Sequence, residues 1–354
     1  MLFRRSKPIV DFIAIGDCVI DSFLQIEEAS VACQLKREAC QLCLPYGEKI
    51  PLAGIVRVAG AGNASNVAVG AARLGLQSHL YSVVGHDQLG QEIHSTWARE
   101  GVHTDLIQID KVHPTNAHTV LTFQGERTIL IYHEPRSYTL PKLPPVRWIY
   151  YTSLGHNHER VEQQLLAYLK QHPETNLLFQ PGTFQLRRGG EALAPVIAKS
   201  TIIAVNKEEA QRILGIKTDS ISTLLKGFHT LGSKIVVITD GKNGSYASDG
   251  TTSWFCPIFP GQSIEATGAG DSYTLGFLYA YDQTGSVPEA MRAGTGESWS
   301  VVQFIGPHAG LLTARRLKQV LKTYEHLQPV EYLDRARARK TTKKPLSQKT
   351  RKKT

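Results

Sequence analysis

The 354-residue sequence lacks the short motifs that most often mark nucleotide-binding chains. No Gly-Lys-Ser/Thr closes a Gly-x-x-x-x spacing, which excludes a Walker P-loop. Gly16 follows the first apolar run, but the second and third glycines of a dinucleotide fingerprint are missing. There is no apolar run of membrane-spanning length. The basic start leads only into a short strand-like run, so we expect no signal peptide, no membrane contact and a cytoplasmic location.

Cysteine is also scarce, and there is almost no net positive charge outside the C-terminal tail. Five cysteines, an odd number, argue against a disulfide framework. Ten Lys or Arg and two acids in residues 331–354 account for +8 of the net charge of +9. We therefore expect a nearly neutral domain over 1–330 and a disordered basic tail over 331–354. Such a tail could bind nucleic acid or other polyanions without specificity, or simply be solvated.

The body of the chain has enough apolar residues for a sizeable core, with 42% hydrophobic and 20% charged residues. Predicted strands and helices alternate, which indicates an α/β fold with a mainly parallel, doubly wound sheet flanked by helices. The predicted strands are Ile9–Ile15, Ser78–Val84, Trp148–Thr152, Leu177–Gln180, Ile202–Val205, Ile235–Thr239 and Gly244–Ala247. The predicted helices are Ala64–Leu74, Gln91–Glu100, Arg160–Lys170, Ala266–Asp282 and Val287–Phe304.

Two segments, Val19–Val58 and Thr119–Tyr132, break this alternation. In the second, two apolar runs flank Gln124–Arg127, which is typical of a β-hairpin. Strands inserted into an α/β domain predict a small β-lid over the ligand site. Residues 30–50 have no pattern that assigns them a structure.

The most informative stretch is the turn at 265–271. Gly268 and Gly270 flank Ala269, and an apolar segment typical of a helix follows. Such a turn directs unpaired N–H groups at one spot near the positive end of a helix dipole, which favours anions. Asp271 beside it would accept the proton of an attacking hydroxyl during phosphoryl transfer. The alternative is a plain glycine turn with Asp271 as the N-cap.

Three further elements precede this turn: Ala59–Ala68, Asn206–Glu209 and Thr239–Gly244. Together, and in this order, the four elements resemble the ribokinase-like (PfkB-type) carbohydrate kinase family over roughly residues 11 to 315. The resemblance implies an ATP- and Mg²⁺-dependent kinase, with a small β-lid, that phosphorylates a hydroxyl of a polyhydroxylated small molecule. It also makes a homodimer through the lid a candidate assembly.

The resemblance assigns roles residue by residue. It implies that Asp271 is the general base and that Gly268, Ala269 and Gly270 form the anion hole. The implied substrate-binding residues are Asp21, Gly62, Asn63 and Asn66. The implied nucleotide-binding residues are Asn206, Thr239, Gly241, Gly244 and Thr295.

Two acids are implied to serve metals. Glu209 would hold Mg²⁺ through water, although Asn206 and Glu209 also have capping-box spacing. Glu265 replaces the aspartate that in relatives helps a monovalent cation, such as K⁺, to order the turn. The extra methylene of Glu265 moves its carboxylate and puts that cation in question.

Several substrate classes remain open. A sugar or sugar derivative is the first choice and a nucleoside the second. A sugar phosphate is a third, because Arg57, Arg127, His133 and Arg136 lie in or near the lid segments. Two or more Arg or Lys side chains near Asp21 would favour the sugar phosphate. An apolar pocket for a nucleobase would favour the nucleoside. A non-catalytic ligand sensor that binds nucleic acid through the tail is the alternative from another class.

Overall fold

The structure is a computed structural model that describes residues 10–33 and 40–333. Seventeen strands are found within these ranges. In chain order they are β1 (Val10–Ile15), β2 (Val19–Ile26), β3 (Ser30–Cys33), β4 (Cys40–Cys43), β5 (Leu52–Ala61), β6 (Ser78–Tyr81), β7 (Val83–Gly85), β8 (Gln108–Asp110), β9 (Ala117–Phe123), β10 (Glu126–Tyr132), β11 (Val146–Tyr151), β12 (Asn176–Phe179), β13 (Ile202–Asn206), β14 (Ile235–Thr239), β15 (Ser245–Ser248), β16 (Ser253–Cys256) and β17 (Val330–Glu331).

The main sheet has nine strands in the order β17-β16-β15-β14-β13-β12-β11-β1-β6. Six of them, from β14 to β6, are parallel, and β15 to β17 add an antiparallel edge. The central strands are mostly buried and apolar, as expected where helices cover both faces of a sheet. The predicted α/β fold with a mainly parallel sheet is confirmed.

Helices cover both faces of this sheet. They are α1 (Asn63–Arg73), α2 (Gln88–Arg99), α3 (Glu159–Gln171), α4 (Thr183–Arg187), α5 (Gly190–Lys199), α6 (Lys207–Leu214), α7 (Ile221–Thr230), α8 (Ala269–Thr284), α9 (Val287–Val301) and α10 (Ala314–Thr323). One core packs α1, α8 and α9 against one face, and a second packs α3, α5 and α7 against the other. Over the described residues, no helix has the length and apolarity needed to cross a membrane.

Helices α8 and α9 pack closely together, and glycine permits the close approach. A Cβ added at Gly276 would lie 2.5 Å from the backbone oxygen of Ala293. A Cβ at Gly70 on α1 would lie 2.1 Å from Leu275 Cδ2 on α8. The start of α8 is therefore held between α1 and α9, which fixes the position of the turn that precedes it.

Both segments that break the alternation contribute to a second sheet, which we call the small sheet, with the order β10-β9-β2-β5. The predicted hairpin is β9–β10, which pairs Thr122 with Arg127. Strand β2 leaves the main sheet after β1, and β5 returns to the start of α1. Residues of β2 and α1 that are far apart in sequence therefore meet where the two sheets join.

Two details differ from the sequence-based expectations. Cys33 and Cys40 form a disulfide across the β3–β4 hairpin, although the odd cysteine count argued against disulfides. Glu331 in β17 pairs with Trp254, so the main sheet continues past the predicted boundary at residue 330. The rest of the predicted tail, 334–354, lies outside the described residues.

Candidate active site

A cavity of about 520 Å³ lies at the carboxyl ends of the parallel strands, between the two sheets. Ligands of doubly wound folds bind at this edge, and the volume suits a small-molecule site. Twelve of the fifteen predicted site residues line it: Asp21, Gly62, Asn63, Asn66, Asn206, Glu209, Thr239, Gly241, Gly268, Ala269, Gly270 and Asp271.

Asp271 lies in the first turn of α8 and is held by three side-chain amides. Asn63 Nδ2 donates to Asp271 Oδ1 at 2.8 Å, and Asn66 Nδ2 donates to Oδ2 at 2.7 Å. Gln180 Nε2 adds a third bond at 3.2 Å. Burial raises the pKa of Asp271, the three amides oppose that rise, and the charge of Asp21 adds to it. Asp271 is therefore an oriented, more basic carboxylate.

The turn before Asp271 has the predicted conformation. Gly268, at φ 80°, is the N-cap of α8, and a Cβ there would lie 2.6 Å from Pro307 Cβ. The helix therefore begins two residues before the catalytic candidate, and the alternative of Asp271 as the N-cap is wrong. Ala269 N–H donates to the Ala266 oxygen at 3.2 Å. The first N–H groups of a helix have no intrahelical acceptor, so Gly268 and Gly270 offer the donors for an anion.

A residue that sequence reasoning missed, His308, orients one of these amides. Burial lowers the pKa of His308 to about 4, with Arg73 contributing, so the ring is neutral. Its Nε2 lies 3.0 Å from Asn66 Oδ1. Because the Asn66 amide nitrogen faces Asp271, its oxygen faces the ring, and Nε2 carries the proton. His308 thus fixes which way the Asn66 amide points.

On the substrate side, Asp21 of β2 and the turn at Gly62 face the cavity. Gly62 has φ 104°, and a Cβ there would lie 2.8 Å from the Asp17 oxygen, so the close approach requires glycine. Asp21 is buried, and its Oδ1 has no hydrogen-bond partner among the described residues. A buried oxygen that lacks a protein donor can accept a hydrogen bond from a substrate hydroxyl in the cavity, which fits the role predicted for Asp21.

The cavity also has lining residues that no local motif announces. They come singly from separate elements and are His118, Arg127, Ile129, Ile131, His133, Ser153, Gln180, Thr183 and Phe184. The hairpin residues Arg127 and His133 were named only as candidates for a substrate phosphate. The other two candidates lie elsewhere: Arg57 pairs with Glu92 at 2.7 Å, and Arg136 pairs with Asp110 at 2.8 Å. Among the described residues, Arg127 is the cavity's one Arg or Lys.

The opposite end of the cavity is formed by the ends of β13 and β14. Asn206 Oδ1 accepts from Glu209 N at 2.8 Å, and Glu209 Oε2 accepts from Asn206 N at 2.9 Å. This is the predicted capping box. Burial raises the pKa of Glu209, and the charge of Asp271 adds to the rise. Glu209 therefore faces the cavity with its Oε1 outside the capping bonds.

Three predicted residues lie outside the cavity lining. Gly244 supports the turn after β14, because a Cβ there would lie 2.5 Å from the Cys256 oxygen. Thr295 is buried in α9, with its Oγ1 3.4 Å from Cys256 Sγ. Glu265 Oε1 accepts from Thr267 N at 2.7 Å and from Thr267 Oγ1 at 2.6 Å. Arg127 Nε lies 3.8 Å from the same oxygen.

The fold and this cavity define a doubly wound α/β protein in which a glycine turn at the start of a buried helix lines the cavity. The family model described as "pfkB family carbohydrate kinase" matches residues 24–313. The chain therefore belongs to the PfkB family of carbohydrate kinases and is an enzyme of that class.

Known relatives agree with this assignment. The chain is 26% identical over 345 residues to a 5-dehydro-2-deoxygluconokinase of Geobacillus kaustophilus, covering 92% of this chain and 97% of the relative. It is 29% identical over 355 residues to 5-dehydro-2-deoxygluconokinase 1 of Bacillus cereus, covering 92% and 99%. Arabidopsis thaliana ribokinase, solved with ribose and ATP, superposes with a TM-score of 0.73 at 19% identity, covering 89% and 99%.

The contact of His308 with Asn66 generates a prediction. His308→Leu removes the donor to Asn66 Oδ1 and leaves a buried acceptor unpaired, at a cost of about 1–3 kcal/mol. Because Asn66 orients Asp271, we expect this loss of free energy to lower kcat by about 10- to 100-fold and to leave KM for both substrates little changed. His308→Gln is the matched control, because its amide nitrogen can replace Nε2 and retain most of kcat. Equal losses in both variants would contradict the prediction.

Proposed function

We propose that this protein transfers the γ-phosphoryl group of ATP to a hydroxyl of a sugar derivative, with Asp271 as the general base. The observation that carries the proposal is that three side-chain amides donate hydrogen bonds to the buried carboxylate of Asp271 at the start of α8. The carboxylate lies between a hydroxyl-binding end around Asp21 and a phosphate-binding end around Asn206 and Thr239.

In the proposed reaction, Asp271 accepts the proton of the substrate hydroxyl as its oxygen attacks the γ-phosphorus. The bond from the γ-phosphorus to the bridging oxygen breaks, and ADP leaves with that oxygen. The N–H groups at Gly268 and Gly270, aided by the α8 dipole, stabilise the charge on the transferred group. The small sheet acts as the lid that excludes water.

The residues present fit Mg²⁺. Glu209 Oε1 lies outside the capping box, and the charge of the nearby Asp271 contributes to raising the pKa of Glu209. Carboxylate oxygens and water are the ligands that Mg²⁺ prefers. Bound with ATP, Mg²⁺ would neutralise phosphate charge, and we propose that Glu209 would hold it through an ordered water.

The residues present do not fit K⁺ at Glu265. Its Oε1 already accepts two hydrogen bonds from Thr267 and faces Arg127, and its Oε2 lies 3.4 Å from Gly306 N. The Arg127 guanidinium already faces this carboxylate and balances part of its charge. We therefore propose that the turn is ordered without a monovalent cation at this carboxylate.

For the substrate, we propose a sugar acid of the kind that the name 5-dehydro-2-deoxygluconokinase denotes. Two relatives with near full-length matches have that name. Asp21, Asn63 and Asn66 suit hydroxyls, and the guanidinium of Arg127 can pair with a carboxylate. A nucleoside would need an apolar pocket for its base. A sugar phosphate would need more positively charged side chains than the single Arg of this cavity.

A substrate panel tests this choice. ADP release is measured with 5-dehydro-2-deoxygluconate, gluconate, ribose, fructose, a hexose phosphate and adenosine at equal concentrations. Turnover of the sugar acids supports the proposal, and preference for the hexose phosphate or for adenosine overturns it.

The sensor alternative is not favoured, because the chain belongs to a kinase family and retains Asp271. Use of ATP and a small sugar supports a cytoplasmic location.

The general-base assignment generates a prediction of its own. Asp271→Asn keeps the size of the side chain but cannot accept a proton, so turnover falls by about 10²–10⁴-fold. Nucleotide binding, measured by calorimetry, is retained, because the nucleotide end of the cavity is unchanged. Asp219→Asn, at an exposed ion pair with Lys207, is the matched control and keeps full activity. Turnover near the wild-type rate in Asp271→Asn would refute the assignment.

We propose a homodimer through the outer face of the small sheet. The register places Leu24, Ile55 and Leu121 on one face, with Leu130 beside them. Ile55 is 66% exposed and Leu130 is 53% exposed, an apolar area that a second copy would cover.

The dimer is tested by light scattering of the wild type and of Ile55→Lys/Leu130→Lys. We expect a dimer that the double variant converts to a monomer, since buried charges without partners are costly. Val112→Lys, at an exposed apolar residue outside this face, is the control and stays dimeric. A monomeric wild type at micromolar concentration would exclude the interface.

We propose that the basic tail contacts polyanions. Its support is charge: residues 331–354 hold +8 of the net +9. Deletion of residues 335–354, which spares β17, leaves melting temperature and turnover unchanged and abolishes salt-sensitive retention on heparin. The length control replaces the tail Lys and Arg by Gln and behaves like the deletion. Retention of the truncated protein would assign the binding to the folded body instead.

A further inference from the structure

Residues 306–312, which we call the return segment, lie between α9 and α10 and touch two parts of the candidate active site. Pro307 packs so closely on the glycine turn that a Cβ added at Gly268 would lie 2.6 Å from Pro307 Cβ. His308 Nε2 lies 3.0 Å from Oδ1 of Asn66, one of the amides that bind the general base. The position of this one segment therefore affects both the turn and the amide.

The return segment belongs to no helix or strand, so side chains from neighbouring elements hold its backbone. Arg73 Nη1 donates to the backbone oxygens of His308 at 2.6 Å and of Leu311 at 3.2 Å. Ser300 Oγ, from α9, donates to the backbone oxygen of Gly310 at 2.7 Å. Of these two donors, Arg73 is the one that binds His308 itself and the one that comes from outside α9.

Glu100, at the C-terminal end of α2, orients the Arg73 side chain. Arg73 Nε donates to Glu100 Oε2 and Arg73 Nη2 donates to Glu100 Oε1, both at 2.8 Å. Two parallel hydrogen bonds of this kind fix the plane of a guanidinium. They also lower the pKa of Glu100, which keeps the pair ionised at neutral pH. The remaining nitrogen, Nη1, is thereby directed at the backbone oxygens of the return segment.

Arg73 is the last residue of α1, and the asparagines that bind Asp271 lie at the start of the same helix. Arg73 does not line the cavity, so it can act on the reaction only through the residues that it holds. We propose that Arg73 is a positioning residue for phosphoryl transfer, which fixes the return segment so that His308 orients the Asn66 amide toward Asp271. This inference rests on the proposed kinase function and adds to it a residue outside the cavity.

The first test compares two arginines that make the same kind of contact. Arg292 of α9 also donates to backbone oxygens, those of Leu321 at 2.8 Å and of Tyr324 at 3.2 Å, and neither of these belongs to the return segment or lines the cavity. We expect Arg73→Gln to lower kcat about 10-fold and to change KM for either substrate by less than about threefold. Arg292→Gln is the matched control, which lowers the melting temperature in the same way and leaves kcat unchanged.

Arg73→Lys is the rescue variant. Lysine keeps the positive charge beside Glu100 and can donate to a backbone oxygen, but it lacks the planar fork of arginine. We therefore expect its kcat to lie between those of the wild type and Arg73→Gln. A kcat of Arg73→Gln near the wild-type value would overturn the proposal, and so would an equal loss of kcat in Arg292→Gln.

A double variant distinguishes action through His308 from a general loosening of the fold. In His308→Leu the donor to the Asn66 amide is already absent, so adding Arg73→Gln should lower kcat little further. A general loosening would instead lower kcat in both backgrounds by the same factor. Effects on kcat that multiply would therefore overturn the proposal.

A titration without substrate provides a readout that does not depend on the reaction. Burial, with the charge of Arg73 contributing, lowers the pKa of His308 to about 4, whereas the charge of Glu100 opposes this. Arg73→Gln removes a charge that repels the imidazolium and leaves Glu100 unpaired, so the pKa of His308 should rise. Nuclear magnetic resonance of histidine-labelled protein measures this pKa, and the signals are assigned by their absence from His308→Gln spectra. An unchanged pKa in Arg73→Gln would contradict the contact.

The other charged groups near His308 and the return segment stay the same in these variants, so the change in pKa reports on Arg73. These groups are Glu100 at the end of α2, Glu265 beside Gly306, Asp271 beyond Asn66, and Glu297 of α9, which accepts from Leu312 N.

The two sets of experiments fail separately. If the substrate panel identifies another phosphate acceptor, the variants are measured with that acceptor, and only the choice of substrate is overturned. If the pKa of His308 and kcat are both unchanged in Arg73→Gln, the inference is overturned while the kinase function stands.

Discussion

The architecture of the site depends on one buried carboxylate. An ionised carboxylate taken out of water is costly unless hydrogen bonds replace its hydration. Asp271 receives three, from Asn63 and Asn66 at the start of α1 and from Gln180 after β12. The two asparagines come from α1, which packs closely against α8 at Gly70. The glycine at this helix contact and the buried carboxylate therefore belong to the same arrangement of α1 and α8.

Charge explains why the cavity has two unlike ends. The charge of Asp21 raises the pKa of Asp271, and the charge of Asp271 raises the pKa of Glu209, so the carboxylates of this cavity crowd negative charge together. A phosphate-bearing ligand would be repelled by these carboxylates unless a cation accompanied it. At the other end, the guanidinium of Arg127 in β10 offsets part of this negative charge.

The sequence predicts the features that arise from interactions within a few residues, and it does not predict those that arise between separate elements. The turn at Gly268, the capping box of Asn206 and the hairpin of β9 and β10 are local, and each leaves a pattern within a few residues. Gln180, His118 and His308 reach the site from separate elements, one residue at a time, so no spacing announces them. The disulfide between Cys33 and Cys40 was missed for a related reason, since the odd count of cysteines includes Cys18 and Cys256, which are buried and unpaired.

The substitution of Glu265 for the usual aspartate joins these parts. Its longer side chain lets one carboxylate bind Thr267 within the anion turn while facing Arg127 from the small sheet. The same carboxylate lies near Gly306, beyond α9. A single carboxylate therefore links the turn before Asp271 to the small sheet and to the segment beyond α9, because Arg127 belongs to β10 and Gly306 follows α9.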